Sequence, residues 1–105
     1  AMTSEHLTAV LAEKVMGWSV GPDRFMMGDR RWMPRWRFQP TENLMDAFQL
    51  LEGAAPNEYS MSGGNDVGFL VRVRIGSVTG EARGTSKPLA ITHAIARAAG
   101  IEVEP

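Results

Sequence analysis

The chain has 105 residues, no cysteine and a formal net charge of −1. This length is enough for one hydrophobic core, so the sequence predicts a single domain over residues 1–105. The lack of cysteine excludes disulfides and cysteine-ligated metal sites, and it is typical of cytoplasmic proteins. No apolar run approaches the roughly 20 residues that a transmembrane helix requires, so we expect no membrane association.

The first predicted element is a helix over residues 5–16. Apolar side chains recur on one of its faces at Leu7, Val10, Leu11 and Val15. Gly17 follows at the position where a helix-terminating glycine is expected. Trp18 comes directly after this glycine, and we expect its ring to fold back into the core.

Residues 19–40 show no clear periodicity. Glycine and proline interrupt this segment at Gly21, Pro22, Gly28, Pro34 and Pro40. The pattern predicts irregular structure, with residues 31–38 as a short edge strand or an extended arm. An irregular stretch of this length is uncommon in a small domain and is often functional.

Arginine and tryptophan alternate inside this segment, in the run RRWMPRWRF over residues 30–38. Residues 23–37 carry five arginines and two aspartates, which makes the region locally basic. Arg and Trp are enriched at protein interfaces, and together they also suit base stacking with phosphate contact. The predicted partner-binding residues are Arg30, Arg31, Trp32, Arg35, Trp36 and Arg37. In the alternative interpretation the tryptophans cover the sheet or the first helix while the arginines remain solvated.

A second helix is predicted over residues 42–52, with Thr41 as its N-cap and Gly53 at its end. Its apolar residues keep a helical spacing at Leu44, Ala47, Phe48 and Leu51. Glu42 near its start complements the helix dipole.

Three antiparallel strands are predicted next, over residues 58–62, 67–75 and 78–84. Apolar and polar residues alternate along the second strand, and Gly76-Ser77 suits a two-residue hairpin loop. Counting back from that loop gives the cross-strand pairs Ile75 with Val78, Val73 with Gly80, Val71 with Ala82 and Arg72 with Glu81.

A third helix is predicted over residues 87–99, since Ser86 can cap it and Pro88 fits its first turn. Its alanines are expected to pack closely on Gly80 and Ala82. Its opposite, solvent-facing side is predicted to hold Thr92, His93 and Arg97. The resulting fold class is α+β: a three-stranded antiparallel sheet, four-stranded if residues 31–38 join it, with the second and third helices on one face. The first helix is expected at an edge or on the opposite face.

Little in the sequence indicates catalysis. His6 and His93 fall on separate helices, without a carboxylate or a nucleophile at the spacing of a triad or a metal site. The run GEARG over residues 80–84 is not a phosphate loop, because no Gly-Lys-Ser/Thr follows it. We therefore expect a non-enzymatic protein without cofactor or metal.

The order helix, three strands, helix resembles the double-stranded RNA-binding domain, and so does the run GEARGTSK over residues 80–87. That family grips phosphate with a lysine cluster at the start of its last helix. Lys87 matches the cluster, whereas Pro88 and Ile91 depart from it.

A second resemblance covers most of the chain. The runs VMGW over residues 15–18, FQPTEN over 38–43 and KPLAI over 87–91, the last followed by Arg97 and Ala98, are similar to the phage ABA sandwich domain. This resemblance implies a small bacteriophage or prophage protein of the host cytoplasm, with an α/β/α-type sandwich and no assigned catalytic residues.

These observations predict a binding module that acts by contact with a host or phage protein, as a monomer or homodimer. An inhibitor of a host defence system, similar to an anti-CRISPR protein, is one such module. Nucleic-acid binding through the Arg/Trp run is the first alternative, supported by Arg72, Arg74 and Lys87. A virion or assembly component is the second alternative.

Overall fold

The computed structural model describes residues 4–28, 30–64, 66 and 68–101. Its helices are α1 Ser4–Lys14, α2 Leu44–Ala54 and α3 Lys87–Ala98, with a 3-10 helix at Arg35–Arg37. Its strands are β1 Ser19–Val20, β2 Arg24–Gly28, β3 Arg31–Pro34, β4 Glu58–Gly64, β5 Gly68–Ile75 and β6 Val78–Gly84. The α+β class is confirmed. Val67, the first residue of a predicted strand, lies outside the described residues.

The strands β4, β5 and β6 form an antiparallel sheet, the large sheet. The predicted hairpin register is confirmed for its four cross-strand pairs, Ile75 with Val78, Val73 with Gly80, Val71 with Ala82 and Arg72 with Glu81. Gly76 supplies the left-handed loop conformation with φ 64°. Arg72 Nη2 lies 2.8 Å from Glu81 Oε2 in an exposed ion pair on the face away from the core.

Helix α3 packs across β5 and β6 at unusually close range. Val71 and Val73 are buried beneath it. A Cβ added at Gly80 would overlap the backbone of α3, at the carbonyl oxygen of Ala94 and the amide nitrogen of Ala98. The predicted close helix–sheet contact is therefore present, and it requires glycine on β6.

Helix α3 is covered on more than one side. Thr92 is fully buried rather than solvent-facing, and its Oγ1 donates a hydrogen bond of 2.8 Å to the carbonyl oxygen of Pro40. The solvent-facing position predicted for it was wrong, because α2 and the chain leading into it pack on α3. His93 and Arg97 are half-buried.

The other face of the large sheet is open. It carries the exposed side chains of Ser60, Arg72, Thr79 and Glu81. The sandwich resemblance implies helices on both faces of a sheet. The described helices leave this face of the large sheet uncovered. Helix α1 instead lies beside β1.

The segment predicted to be irregular folds as a second antiparallel sheet, the small sheet, in the order β1–β2–β3. The prediction for residues 19–40 was wrong because these strands are short and the β2–β3 register shifts between Met26 and Gly28, which hides their alternation. The strand expected at residues 31–38 ends at Pro34 and pairs with β2, so it does not extend the large sheet.

An aromatic cluster anchors the small sheet to the core. Trp18, Phe25 and Phe38 are all buried. Their ring centroids lie 5.9 Å apart for Trp18 and Phe25, 5.1 Å for Trp18 and Phe38, and 6.0 Å for Phe25 and Phe38. The core position predicted for Trp18 is confirmed, and its contacts join the end of α1 to β2 and to the segment after the 3-10 helix.

The N-cap of α2 is Asn43 and not Thr41. Asn43 Oδ1 accepts a hydrogen bond of 3.1 Å from the amide of Asp46. The chain makes a further turn after Gln39, whose carbonyl oxygen accepts from the amide of Asn43 at 2.7 Å. This turn leaves Thr41 buried before the helix begins, and its Oγ1 has no hydrogen-bond partner among the described atoms.

Glycine ends α1 as predicted, but it does not end α2. Gly17 takes a left-handed conformation after α1, as predicted, with φ 72°. Helix α2 runs past Gly53, and Ala55 takes the left-handed position with φ 47°. Gly53 leaves room for the side chain of Met16, which packs against it. Ser86 caps α3 as predicted, with a hydrogen bond of 3.3 Å from the amide of Leu89 to its Oγ.

We expect Gly80→Ala to lower the free energy of unfolding by about 3 kcal/mol, because α3 must move to admit the new methyl group. Gly64→Ala is the matched control, since an added Cβ there meets nothing within 4 Å. Urea denaturation monitored by circular dichroism measures both. Similar stabilities for the two variants would show that α3 does not lie this close to β6.

We expect Thr92→Val to cost about 1–2 kcal/mol, because it keeps the volume but leaves the Pro40 carbonyl without its donor. Thr79→Val, on the exposed face, should change stability by less than about 0.5 kcal/mol. Thermal melts of both variants test this, and equal melting temperatures would contradict the buried hydrogen bond.

Candidate functional site

Strand β3 and the 3-10 helix place the predicted binding residues in one short stretch. Arg31 and Trp32 lie on β3, while Arg35, Trp36 and Arg37 form the 3-10 helix. Arg30 precedes β3 and adopts φ 64°, a left-handed conformation that is uncommon for residues other than glycine. We call residues 30–37 the Arg/Trp segment.

The tryptophans of this segment project into solvent. Trp36 is 73% exposed and Trp32 is 55% exposed, whereas Trp18 in the core is 8% exposed. Both rings are therefore largely solvent-exposed, and cover of the sheet or of α1 by these two residues is at most partial. Trp32 carries the guanidinium of Arg24 over its face, with Cζ 4.5 Å from the ring centroid.

The arginines divide into two groups. Within the described part of the chain, the guanidinium groups of Arg30, Arg31 and Arg37 have no hydrogen-bond or ion-pair partner. All three are exposed, so their positive charges are available to a partner.

Arg35 has a different role. It is half-buried, and its Nη1 donates a hydrogen bond of 3.3 Å to the carbonyl oxygen of Gly21. Its Cζ lies 5.7 Å from the ring centroid of Phe25, and its amide donates to the carbonyl oxygen of Asp23 at 3.1 Å. These contacts tie the 3-10 helix to the β1–β2 turn.

A groove of about 610 Å³ lies where the Arg/Trp segment meets α2. The segment lines it with both charged and apolar side chains, and α2 contributes two polar side chains. The lining residues are Met27, Arg30, Arg31, Trp32, Met33, Arg37, Asp46 and Gln49. Four of the six sequence-predicted residues therefore meet in one groove, while Arg35 and Trp36 lie outside it.

Sequence reasoning missed the contributions of Arg24 and of α2. Arg24 Nε is paired with Asp23 Oδ1 at 3.2 Å, and this hydrogen bond and charge hold the pKa of the Asp23 carboxyl below its ordinary value. Asp46 Oδ2 accepts a hydrogen bond of 2.9 Å from the amide of Gln39, which fixes the chain just after the segment to α2. The alternation of Arg and Trp gives no signal for this contact, because it joins residues from separate elements.

The described residues contain no cluster of three or more His, Asp or Glu side chains that could hold a metal ion. His93 is half-buried in α3, where burial and the charge of Arg97 lower the pKa of its imidazole. None of the helices in the described part of the chain has the length and apolar composition needed to cross a lipid bilayer.

No protein-family model and no curated protein matches the sequence. Among solved structures, the chain is similar to a phage protein from Bacillus cereus ATCC 14579. The similarity has a TM-score of 0.78 at 18% sequence identity and covers 99% of this chain and 94% of that one. At this identity it shows the fold alone, so this chain has the fold of a phage protein. The finer resemblances to the phage ABA sandwich and to the double-stranded RNA-binding domain stay predictions.

We expect Arg35→Ala to lower the free energy of unfolding by about 1–2 kcal/mol, because it removes a hydrogen bond to Gly21 and the packing on Phe25. Arg37→Ala, two positions along the same 3-10 helix, should change stability by less than about 0.5 kcal/mol. Chemical denaturation compares the two. A neutral Arg35→Ala would show that the segment does not depend on this contact.

Proposed function

We propose that the chain is a phage- or prophage-encoded protein-binding module without catalytic activity. Its contact surface is the Arg/Trp segment, with Trp32 and Trp36 as apolar anchors and Arg30, Arg31 and Arg37 as charged contacts. The exposure of Trp36, at 73%, is the observation that supports this most directly. A large indole exposed beside unpaired arginines has the composition of a protein-interface hot spot.

The segment is held in place before any partner binds. Gln39 Nε2 donates a hydrogen bond of 3.1 Å to the carbonyl oxygen of Trp36, and the amide of Gln39 is held by Asp46. Arg35 fixes the same 3-10 helix from the other side, through Gly21. A preorganised segment loses less conformational entropy on binding, which favours affinity.

The charge of the segment indicates the chemistry of its partner. Unpaired guanidinium groups form bidentate hydrogen bonds with carboxylates, so the partner surface should be acidic. The indole of Trp36 requires an apolar pocket on that surface. The groove beside α2 can receive a side chain or a short loop of the partner. In this interface Arg35 serves mainly to position Trp36.

Nucleic-acid binding is the second candidate. The stacking of Arg24 on Trp32 leaves a cationic aromatic surface of the kind that accepts bases. The net charge of −1 and the missing lysine cluster after Lys87 favour a protein partner instead. The roles as a host-defence inhibitor and as a virion or assembly component stay predictions.

We expect Trp36→Ala to raise the Kd for the partner about thirtyfold, which corresponds to about 2 kcal/mol at an interface hot spot. The partner is obtained by affinity capture from the bacterial host after nuclease digestion, and its Kd is then measured by calorimetry. Met45→Ala is the matched control, because Met45 is an equally exposed apolar residue, 78% accessible, on α2.

Three results would contradict this proposal. The captured partner would bind Trp36→Ala as tightly as wild type, or Met45→Ala would weaken binding as much. In the third, a partner would be captured only when nuclease is omitted, and the affinity of that partner would fall by orders of magnitude between low and moderate salt. That third result would support the nucleic-acid alternative.

A further inference from the structure

The two edges of the large sheet differ in whether another part of the described chain bonds to their outward backbone groups. At the β6 edge, Arg97 Nη1 from α3 donates a hydrogen bond of 2.6 Å to the carbonyl oxygen of Glu81. At the β4 edge, the outward backbone groups of Tyr59 and Met61 receive no such cover from the described residues. Within the described part of the chain, the β4 edge is therefore open to pairing with another strand.

The hairpin loop fixes which backbone groups of β4 face outward. Hydrogen-bonded and non-hydrogen-bonded pairs alternate from that loop onward, so the backbone of Arg72 faces β4 and bonds to Ser60 opposite it. The N–H and C=O groups of Tyr59 and Met61 consequently point away from the sheet. The bond from Arg97 agrees with this alternation, because Glu81 lies opposite Arg72 and directs its carbonyl outward.

Strand β4 lacks the devices that protect sheet edges. Its sequence, EYSMSGG, contains no proline or lysine, and its register with β5 is regular. Its one charged residue, Glu58, is paired through Oε1 with Arg74 Nε at 3.2 Å. Tyr59 lies on the helix-covered face, in register with Val73, yet it is 57% exposed. Its side chain is therefore not enclosed by the helices that bury Val73.

We propose that β4 pairs antiparallel with β4 of a second copy of this chain, about a two-fold axis at Ser60. This pairing joins the large sheet of one copy to the large sheet of the other, so that they form one continuous sheet. Tyr59 of each copy then lies opposite Met61 of the other, and each such pair exchanges both backbone hydrogen bonds. Ser60 lies opposite Ser60, and Glu58 lies opposite Ser62, so no like charges meet.

The self-complementarity of β4 identifies a second copy, rather than an unrelated peptide, as the occupant. Tyr59 meets Met61 on one face, and on the other face Ser60 meets Ser60 and Glu58 meets Ser62, so no pair sets like charges against each other. A register shifted toward Gly63 is disfavoured, because Gly63 has φ 123° and departs from strand geometry. A register shifted toward Asn57 is disfavoured as well, because the Asn57 amide already donates to the carbonyl oxygen of Arg74 at 2.8 Å.

A charge-swap experiment tests the two-fold axis directly. Ser60 is exposed, so Ser60→Lys and Ser60→Glu should both fold, but each places like charges face to face in its own dimer. Sedimentation equilibrium should show a dimer for wild type and a dimer Kd raised roughly tenfold or more for each variant. An equimolar mixture of the two variants should restore the dimer. Thr79→Lys, which adds the same charge on β6, should dimerise as wild type does.

A second variant separates dimerisation from folding. Tyr59→Pro removes an outward N–H but no hydrogen bond of the β4–β5 ladder, so it should be a folded monomer with a melting temperature near that of dissociated wild type. The proposal is overturned if wild type is a monomer at high concentration, if Ser60→Lys and Ser60→Glu dimerise like wild type, or if their mixture stays monomeric. It is also overturned if Tyr59→Pro dimerises unchanged. None of these outcomes depends on the Arg/Trp segment.

Discussion

The close contact between α3 and β6 is the constraint on which the rest of the structure depends. Because Gly80 has no side chain, α3 lies low on the sheet and buries both Val71 and Val73. This position leaves the far side of α3 available to α2, and Thr92 bonds there to Pro40. The hydrogen bond from Thr92 fixes the chain that enters α2 at Pro40. It thereby also restrains the preceding segment, which contains Trp36. The placement of the Arg/Trp segment therefore depends indirectly on Gly80 of β6.

Much of the large sheet follows from the sequence because its determinants are local. A two-residue loop with glycine and a period-2 pattern define the β5–β6 register without reference to other elements. Ser86 likewise caps α3 through its own hydroxyl. The small sheet and Thr92 were not predictable in this way. The strands of the small sheet are too short for periodicity to show, and the burial of Thr92 depends on a second helix packing where the pattern placed solvent.

The sequence predicted which residue types make up the candidate site, but not which of its arginines are held by contacts within the protein. Alternating Arg and Trp left two interpretations open, and the exposure of Trp32 and Trp36 fits the one with a basic, aromatic surface. The same pattern gives Arg35 and Arg37 equal status, yet one is held by Gly21 and Phe25 while the other is unpaired within the described residues. That difference arises from the β1–β2 turn folding under the 3-10 helix, a contact between residues that share no motif. The contributions of Arg24 and Asp46 depend on similar contacts.

The aromatic cluster of Trp18, Phe25 and Phe38 separates the residues that fold the small sheet from those that face outward. Substitutions at exposed positions such as 31, 32, 36 and 37 therefore fall where changes usually alter stability by less than about 0.5 kcal/mol. The residues at these exposed positions can therefore change without loss of the folded core. For the contact surface proposed above, this means that selection by a changing partner can alter the surface while the hydrophobic interior stays the same.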